Sequence, residues 1–195
     1  MGAAFRGFYL NTLETGVQLP YLSKLLSTIL NFKDVESTIQ SLDFLILEGD
    51  RSSYEIVLPH LISSVDPEEF ETIIRKQFMG IDRFIDQGNN LYQFLQYVTE
   101  RGEPIIWIND LERGIWGWDL GRLVGLTRAA LELGLISRKE AWNYIELAGE
   151  KCSDLFSNNE ELDKSYLIGQ AMRLNSISQW EKLLQCYSLL RSNEE

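Results

Sequence analysis

The stretch GIWGWDLGRLVGLTRAALELGLISRKEAWNYI, residues 114–145, decides the fold class of this chain. Its apolar residues recur every three or four positions, which is the spacing of one face of a helix. We predict a first helix over about Trp118–Leu133, stopped by Gly134. A second helix is predicted to begin at Ser137, because Glu140 follows three residues later and completes a capping box.

Two charged residues lie among the leucines of the first predicted helix. Wound at about 3.6 residues per turn, the helix places Asp119 inside its apolar sector and Arg122 at the edge beside Trp118. Arg128 and Glu132 fall on the opposite, more polar side. A buried carboxylate is costly unless it is paired, and side chains three residues apart on a helix can meet. We therefore expect a buried Asp119 that bonds to Arg122 or to backbone amides at the helix start.

Glycines recur every four residues in the same helix, at positions 117, 121 and 125. Each mid-helix glycine costs about 1 kcal/mol relative to alanine. Together with Ala129 they form a shallow trough, and we expect the preceding tryptophan-rich loop or another helix to fill it closely.

Helical spacing and start signals recur along the rest of the chain. We predict helix starts at Asp34, Asp66–Pro67 and Ser178, and a helix end at Gly49. Residues 87–90 (QGNN) are predicted to be a break. Residues 103–116 are predicted to be a loop with inward-facing Trp and Ile side chains and at most one minor strand pair near 105–108. The fold class is all-α, a single compact multi-helix domain over residues 34–192, preceded by a weakly defined N-terminal helical segment over residues 1–33.

Composition and charge narrow the classes of partner. The chain has 18 Lys plus Arg against 29 Asp plus Glu, a formal net charge of −11. This charge repels phosphate backbones and anionic membrane surfaces, so we expect neither nucleic acid nor membrane as a partner. A protein partner, if there is one, would be basic. No apolar run is long enough to span a bilayer and no signal-peptide core is present, so we expect a cytoplasmic protein.

Residue types that carry common chemistry are scarce. His60 is the only histidine, which excludes histidine-rich metal sites, and no phosphate-binding loop or nucleophile elbow occurs. Cys152 and Cys186 lie on apolar stripes, where we expect them to be buried, reduced and unreactive. We expect no metal site and no cofactor.

The segment GWDLGR followed by LTRAALELGLISRKEAW resembles a bacterial family of uncharacterised proteins, the domain-of-unknown-function 1266 family. The resemblance covers roughly residues 35–175, and Asn158–Asn159 and Gln170 depart from the family pattern. It implies a helical fold but no reaction or cofactor. The residues that carry it are Trp118, Asp119, Gly121, Arg122, Arg128, Gly134, Ala141, Trp142, Tyr166 and Gly169.

Two functions fit these observations. The first is a non-catalytic protein-interaction or regulatory module, which suits the acidic charge and the absence of catalytic motifs. The alternative is an enzyme or small-anion-binding protein whose inter-helix pocket is lined by Asp119, Arg122 and Tyr166. Enzymatic activity and oligomeric state stay open at this point. The candidate polar cluster, functional or structural, consists of Trp118, Asp119, Arg122, Arg128 and Tyr166.

Overall fold

The computed structural model describes residue 13 and residues 15–29, 34–63, 66–79, 81–102 and 105–191. These ranges contain helices and no strand, so the all-α prediction is confirmed and the minor strand pair is not found there. The helices are α1 (Leu19–Ile29), α2 (Val35–Leu47), α3 (Arg51–Ser63), α4 (Pro67–Gln77), α5 (Asp82–Glu100), α6 (Ile108–Arg113), α7 (Trp116–Glu132), α8 (Arg138–Leu155), α9 (Asn159–Ala171) and α10 (Ile177–Arg191). None of the helices in the described ranges has the length and apolar character needed to cross a membrane.

Most of the predicted helix ends are formed by local hydrogen bonds. The Asp34 carboxylate accepts from the backbone N–H of Ser37 at 2.8 Å and caps α2. The Asp66 carboxylate caps α4 in the same way, with Pro67 as the first helical residue. Ser137 and Glu140 form the predicted capping box of α8. After α2 and α7 the chain turns at Gly49 and Gly134, which have φ values of +63° and +70°.

Three local predictions are wrong. Residues 87–90 do not break a helix, because α5 runs through them and Gly88 lets Val57 and Ile74 pack against its backbone. The predicted loop 103–116 contains the short helix α6, and Trp107 and Ile108 are exposed rather than inward-facing. The last helix begins at Ile177, one residue before the predicted cap, and the Gln179 side chain accepts from Asn175 and Ser176 at its start.

The described helices fall into two compact units. Unit 2 comprises residues 50–118 and 158–195 and carries α3 to α6, α9, α10 and the first residues of α7. One buried apolar cluster in unit 2 contains Phe94, whose ring meets Trp180 edge-on at 6.1 Å between centroids. A second buried cluster contains Phe70 and Tyr92, whose rings stack at 4.6 Å. The buried Tyr54 hydroxyl donates to the carbonyl of Leu111 and joins α3 to α6.

Unit 1 comprises residues 1–49 and 119–157. Its described helices are α1, α2, most of α7 and α8, and each supplies buried residues. The Tyr144 hydroxyl donates to the Asp43 carboxylate at 2.7 Å and joins α8 to α2. Burial and this hydrogen bond raise the pKa of Tyr144, with a further contribution from nearby negative charge. The backbone N–H and the hydroxyl of Thr15 both donate to the carboxylate of Glu132 near the end of α7.

The glycine trough on α7 is tightly filled at Gly117 and open at Gly125. A Cβ atom at Gly117 would lie 2.6 Å from the carbonyl oxygen of Leu162 and 2.9 Å from the backbone nitrogen of Tyr166, so α9 occupies that space. Gly121 is buried, whereas a Cβ atom at Gly125 would have no neighbour within 4 Å. The expectation of close packing along the whole trough is therefore wrong at Gly125.

We predict opposite effects for alanine at these two glycines. Gly117→Ala forces Cβ into the α9 backbone and should lower the free energy of unfolding by about 1–3 kcal/mol, the usual cost of overpacking. Gly125→Ala should raise it by up to about 1 kcal/mol, because alanine is the better helix former and the space is open. Urea titrations of both variants measure this. Equal destabilisation by both would show that close packing is not what selects glycine at residue 117.

Candidate functional site

A buried polar residue with several partners in unit 2 is Asp50, at the start of α3. Its carbonyl oxygen accepts from the backbone N–H groups of Ser53 and Tyr54, which begins the helix. Its side chain is only 3% exposed. A carboxylate with so little access to water must be compensated by protein donors, because burial without them costs several kcal/mol.

Three side chains that lie far apart in the sequence supply those donors. Arg83, on α5, donates from Nη2 to Oδ1 of Asp50 at 2.9 Å. Oδ2 accepts from the indole Nε1 of Trp118 at 2.9 Å, and from Nη2 and Nε of Arg173 at 2.5 and 3.2 Å. We call these four residues, Asp50, Arg83, Trp118 and Arg173, the Asp50 cluster. It joins the starts of α3 and α7 to α5 and to the turn after α9.

Packing fixes the indole of Trp118 in this cluster. Its ring meets the ring of Tyr166 edge-on at 5.2 Å between centroids. Trp118 also lies against Gly169, where a Cβ atom would collide with Cβ and Cγ of Trp118. Close by, the Ser165 hydroxyl accepts from the backbone N–H of Gly117 and donates to the carbonyl of Gly114. The structure thus brings together Trp118 and Tyr166 of the sequence-predicted cluster.

The other predicted residues lie on α7. Asp119 is completely buried, as expected, while its bond to Arg122 remains a prediction, and Arg122 is half-buried. The expectation for Arg128 is wrong: the residue is 3% exposed rather than on a polar face. Its Nε has no acceptor within the part of the chain that the structure describes. Burial lowers the pKa of Arg128, and the negative charge of Glu132 partly opposes this effect.

A second polar cluster in unit 2 surrounds Asp110 on α6. Lys164 and Arg113 each form an ion pair with Asp110 at 3.2 Å. Lys164 also pairs with Glu160, and Arg113 with Glu161. Burial by itself lowers the pKa of Lys164, but its hydrogen bonds to Glu160 and Asp110 outweigh this and raise it. Each carboxylate here faces a cation, which is the arrangement of a structural ion-pair network.

Metal-ligating and nucleophilic side chains form no centre in the described ranges. No group of three His, Cys, Asp or Glu residues there could hold a metal ion. His60 is half-buried near the end of α3. Cys152 is half-buried, and burial raises its pKa to about 11. The expectation for Cys186 is wrong, because that residue is exposed. It lies off the stripe formed by Trp180, Leu183, Leu184 and Tyr187.

Sequence reasoning missed three of the four residues of the Asp50 cluster. Asp50 follows Gly49 and precedes Ser52–Ser53, a pattern that signals a helix start and therefore suggests only a capping role. Arg83 and Arg173 carry no local signal, since they lie 33 and 123 residues from Asp50. Only Trp118 was singled out from the sequence.

We predict that Asp50→Asn lowers the free energy of unfolding by on the order of 3 kcal/mol, because it leaves Arg83 and Arg173 beside a neutral amide. Asp86→Asn is the matched control, an exposed aspartate on α5, and should change stability by less than about 0.5 kcal/mol. Denaturant unfolding followed by circular dichroism measures both. Equal, small effects would show that the Asp50 cluster contributes little to stability.

We predict that the two cysteines differ in reactivity. With a pKa of about 11, only about a thousandth of Cys152 is thiolate at pH 8, and the thiolate is the reactive form. A disulfide reagent at pH 8 should label exposed Cys186 rapidly and Cys152 at least about tenfold more slowly. Cys186→Ser should remove the fast phase. A fast phase that survives this substitution would contradict the assignment.

Comparison with known proteins agrees with the resemblance seen in the sequence. Residues 26–195 match a family model described as Protein of unknown function (DUF1266). No curated protein and no solved structure matches the chain. Because the matched residues make up most of the sequence, the chain belongs to the DUF1266 family.

Proposed function

We propose that this protein is a non-catalytic protein-interaction domain that binds a basic, amphipathic helix of a partner protein. The observation that carries the proposal is a groove on unit 2 with a cavity volume of about 360 Å³. Leu61 of α3 lines it from one side. The remaining lining residues come from the second half of α5: Tyr92, Leu95, Gln96, Thr99 and Glu100.

Half of the described lining residues, Leu61, Tyr92 and Leu95, are apolar or aromatic, and packing holds them in place. Tyr92 is buried and its ring stacks on Phe70 of α4, which fixes its orientation. Leu61 and Leu95 are half-buried and pack against the neighbouring core. Ile62, the residue after Leu61, is 47% exposed. A groove between packed helices that presents such apolar side chains is the kind of surface into which a partner helix lays its apolar face.

The rim of the groove is acidic. Glu100 lines one end. Burial raises the pKa of Tyr92, and the charge of Asp66 raises it further, which places that exposed carboxylate within electrostatic reach of the groove. Together with the net charge of −11, these residues favour a partner with Lys or Arg flanking its apolar side chains. Such charges mainly accelerate association and select the partner.

The chemistry of the groove supports binding rather than turnover. Its ionisable lining groups are Tyr92, whose pKa is raised, and Glu100. Among the lining residues that the structure describes, none is a histidine, cysteine or lysine. Tyr166, a residue of the alternative small-anion pocket, is 4% exposed and packs edge-on against Trp118. These contacts account for Tyr166 as a core residue.

Thr99→Lys tests the proposal with little effect on folding, since Thr99 is exposed and lines the groove. A displayed peptide library is selected against the wild-type protein, and the enriched peptides are synthesised. We expect amphipathic sequences with apolar residues three and four apart and flanking Lys or Arg. Thr99→Lys adds bulk and a repelling charge, so it should weaken their binding by about tenfold or more. Higher salt should weaken wild-type binding as well.

Thr72→Lys is the matched control. Thr72 is an exposed threonine on α4 outside the groove, and the substitution changes the net charge by the same amount. It should change peptide affinity by less than about twofold. Equal losses of peptide affinity in Thr99→Lys and Thr72→Lys would show that the added net charge, and not the groove, causes the effect. Enriched peptides without basic residues would contradict the proposed partner chemistry.

A further inference from the structure

We propose that Arg83 and Arg173 form a second binding site, for the phosphate group of a small molecule or for inorganic phosphate. This site is separate from the groove and does not depend on the function proposed for it. The two guanidinium groups bind the two oxygens of one carboxylate, Oδ1 and Oδ2 of Asp50. The separation between Nη2 of Arg83 and Nη2 of Arg173 therefore cannot exceed the length of two hydrogen bonds plus the distance between the two carboxylate oxygens. We infer that the two guanidinium groups are close enough for one tetrahedral anion to accept from both.

Both arginines keep donors for a ligand. Arg83 uses only Nη2 toward Asp50, and Arg173 uses Nη2 and Nε. Within the described ranges, neither guanidinium has another carboxylate partner. The side chains are 55% and 33% exposed, so water and small solutes reach them. A guanidinium presents its N–H groups as a planar fork, which suits the oxygens of a phosphate group.

The local charge balance favours an anion. Within the Asp50 cluster, two arginines face one carboxylate, so the four residues together carry a net positive charge. The surplus lies in a protein whose net charge is −11, which weakens long-range attraction of anions. Selection at this site would therefore rest on direct hydrogen bonds to two fixed guanidinium groups rather than on the overall field.

The arginines are also ordered before any ligand arrives. Asp50 is held by the indole of Trp118 and by the backbone at the start of α3. The turn that carries Arg173 is held by Asn90, whose side chain donates to the carbonyl of Met172 at 3.1 Å. Ordering long side chains is a main free-energy cost of binding. These hydrogen bonds lower that cost because they hold the two arginines in place in the absence of a ligand.

The test is a titration of the full chain with inorganic phosphate, followed by NMR signals of arginine Nε–H and tryptophan indole N–H groups. Sodium chloride at matched ionic strength is the reference. We expect phosphate to shift the signals of Arg83, Arg173 and Trp118 beyond the chloride effect. Arg83→Gln should weaken phosphate binding by about tenfold or more, while Arg83→Lys, which keeps the charge but not the fork, should retain part of it.

Arg75→Gln is the control, because Arg75 is an exposed arginine on α4 that pairs with Glu71 at 2.7 Å. It should leave phosphate binding unchanged. In Arg83→Gln, Trp118 and Arg173 still compensate Asp50, and an unchanged melting temperature would show that the fold is intact. Tighter binding of phenyl phosphate than of inorganic phosphate would identify phosphorylated small molecules as the ligand class, and equal binding would identify free phosphate.

Two results would overturn the site. One is a phosphate effect no larger than that of chloride. The other is an equal loss of phosphate binding in Arg75→Gln and Arg83→Gln. Thr99→Lys should bind phosphate like the wild type, so failure of this site and failure of the peptide groove are distinguishable.

Discussion

The carboxylate of Asp50 is the constraint on which the arrangement of unit 2 depends. It is almost completely buried, so its charge has to be met by protein donors. Those donors come from residues 33, 68 and 123 positions away in the sequence. A carboxylate that gathers such distant segments defines one mutual placement of α3, α5, the start of α7 and the turn after α9. Other placements of these segments would bury an unpaired charge.

Close backbone packing at the start of α7 complements this polar constraint. Gly117 lies against the backbone of α9, and Gly169 of α9 lies against the side chain of Trp118. At each of these positions, the Cβ atom of any other residue would overlap with atoms of the opposite helix. Trp118 and Gly169 are among the residues on which the family resemblance rests. In this chain Trp118 and Gly169 pack closely against each other.

The two binding sites that we propose lie instead on surfaces that the interior leaves exposed. Apolar side chains and Glu100 line the groove beside α5, whereas the Asp50 cluster holds two arginines against one carboxylate. The two surfaces suit ligands of opposite charge. Only an acidic surface could be predicted from the net charge of −11. The net charge is a sum over the whole chain, so it does not show that Arg83 and Arg173 lie together on one carboxylate.

The sequence by itself determined most of the helices and most of their ends, because a cap is closed by groups two to four residues apart, as at Asp34, Asp66 and Ser137. It also indicated the burial of Asp119 from its helical register. Only the tertiary structure decided that Gly88 continues a helix and that Arg128 is buried. It alone placed Arg83 and Arg173 on Asp50. These outcomes depend on which distant segment packs against each residue, and the spacing of residues along one helix carries no information about the identity of that neighbour.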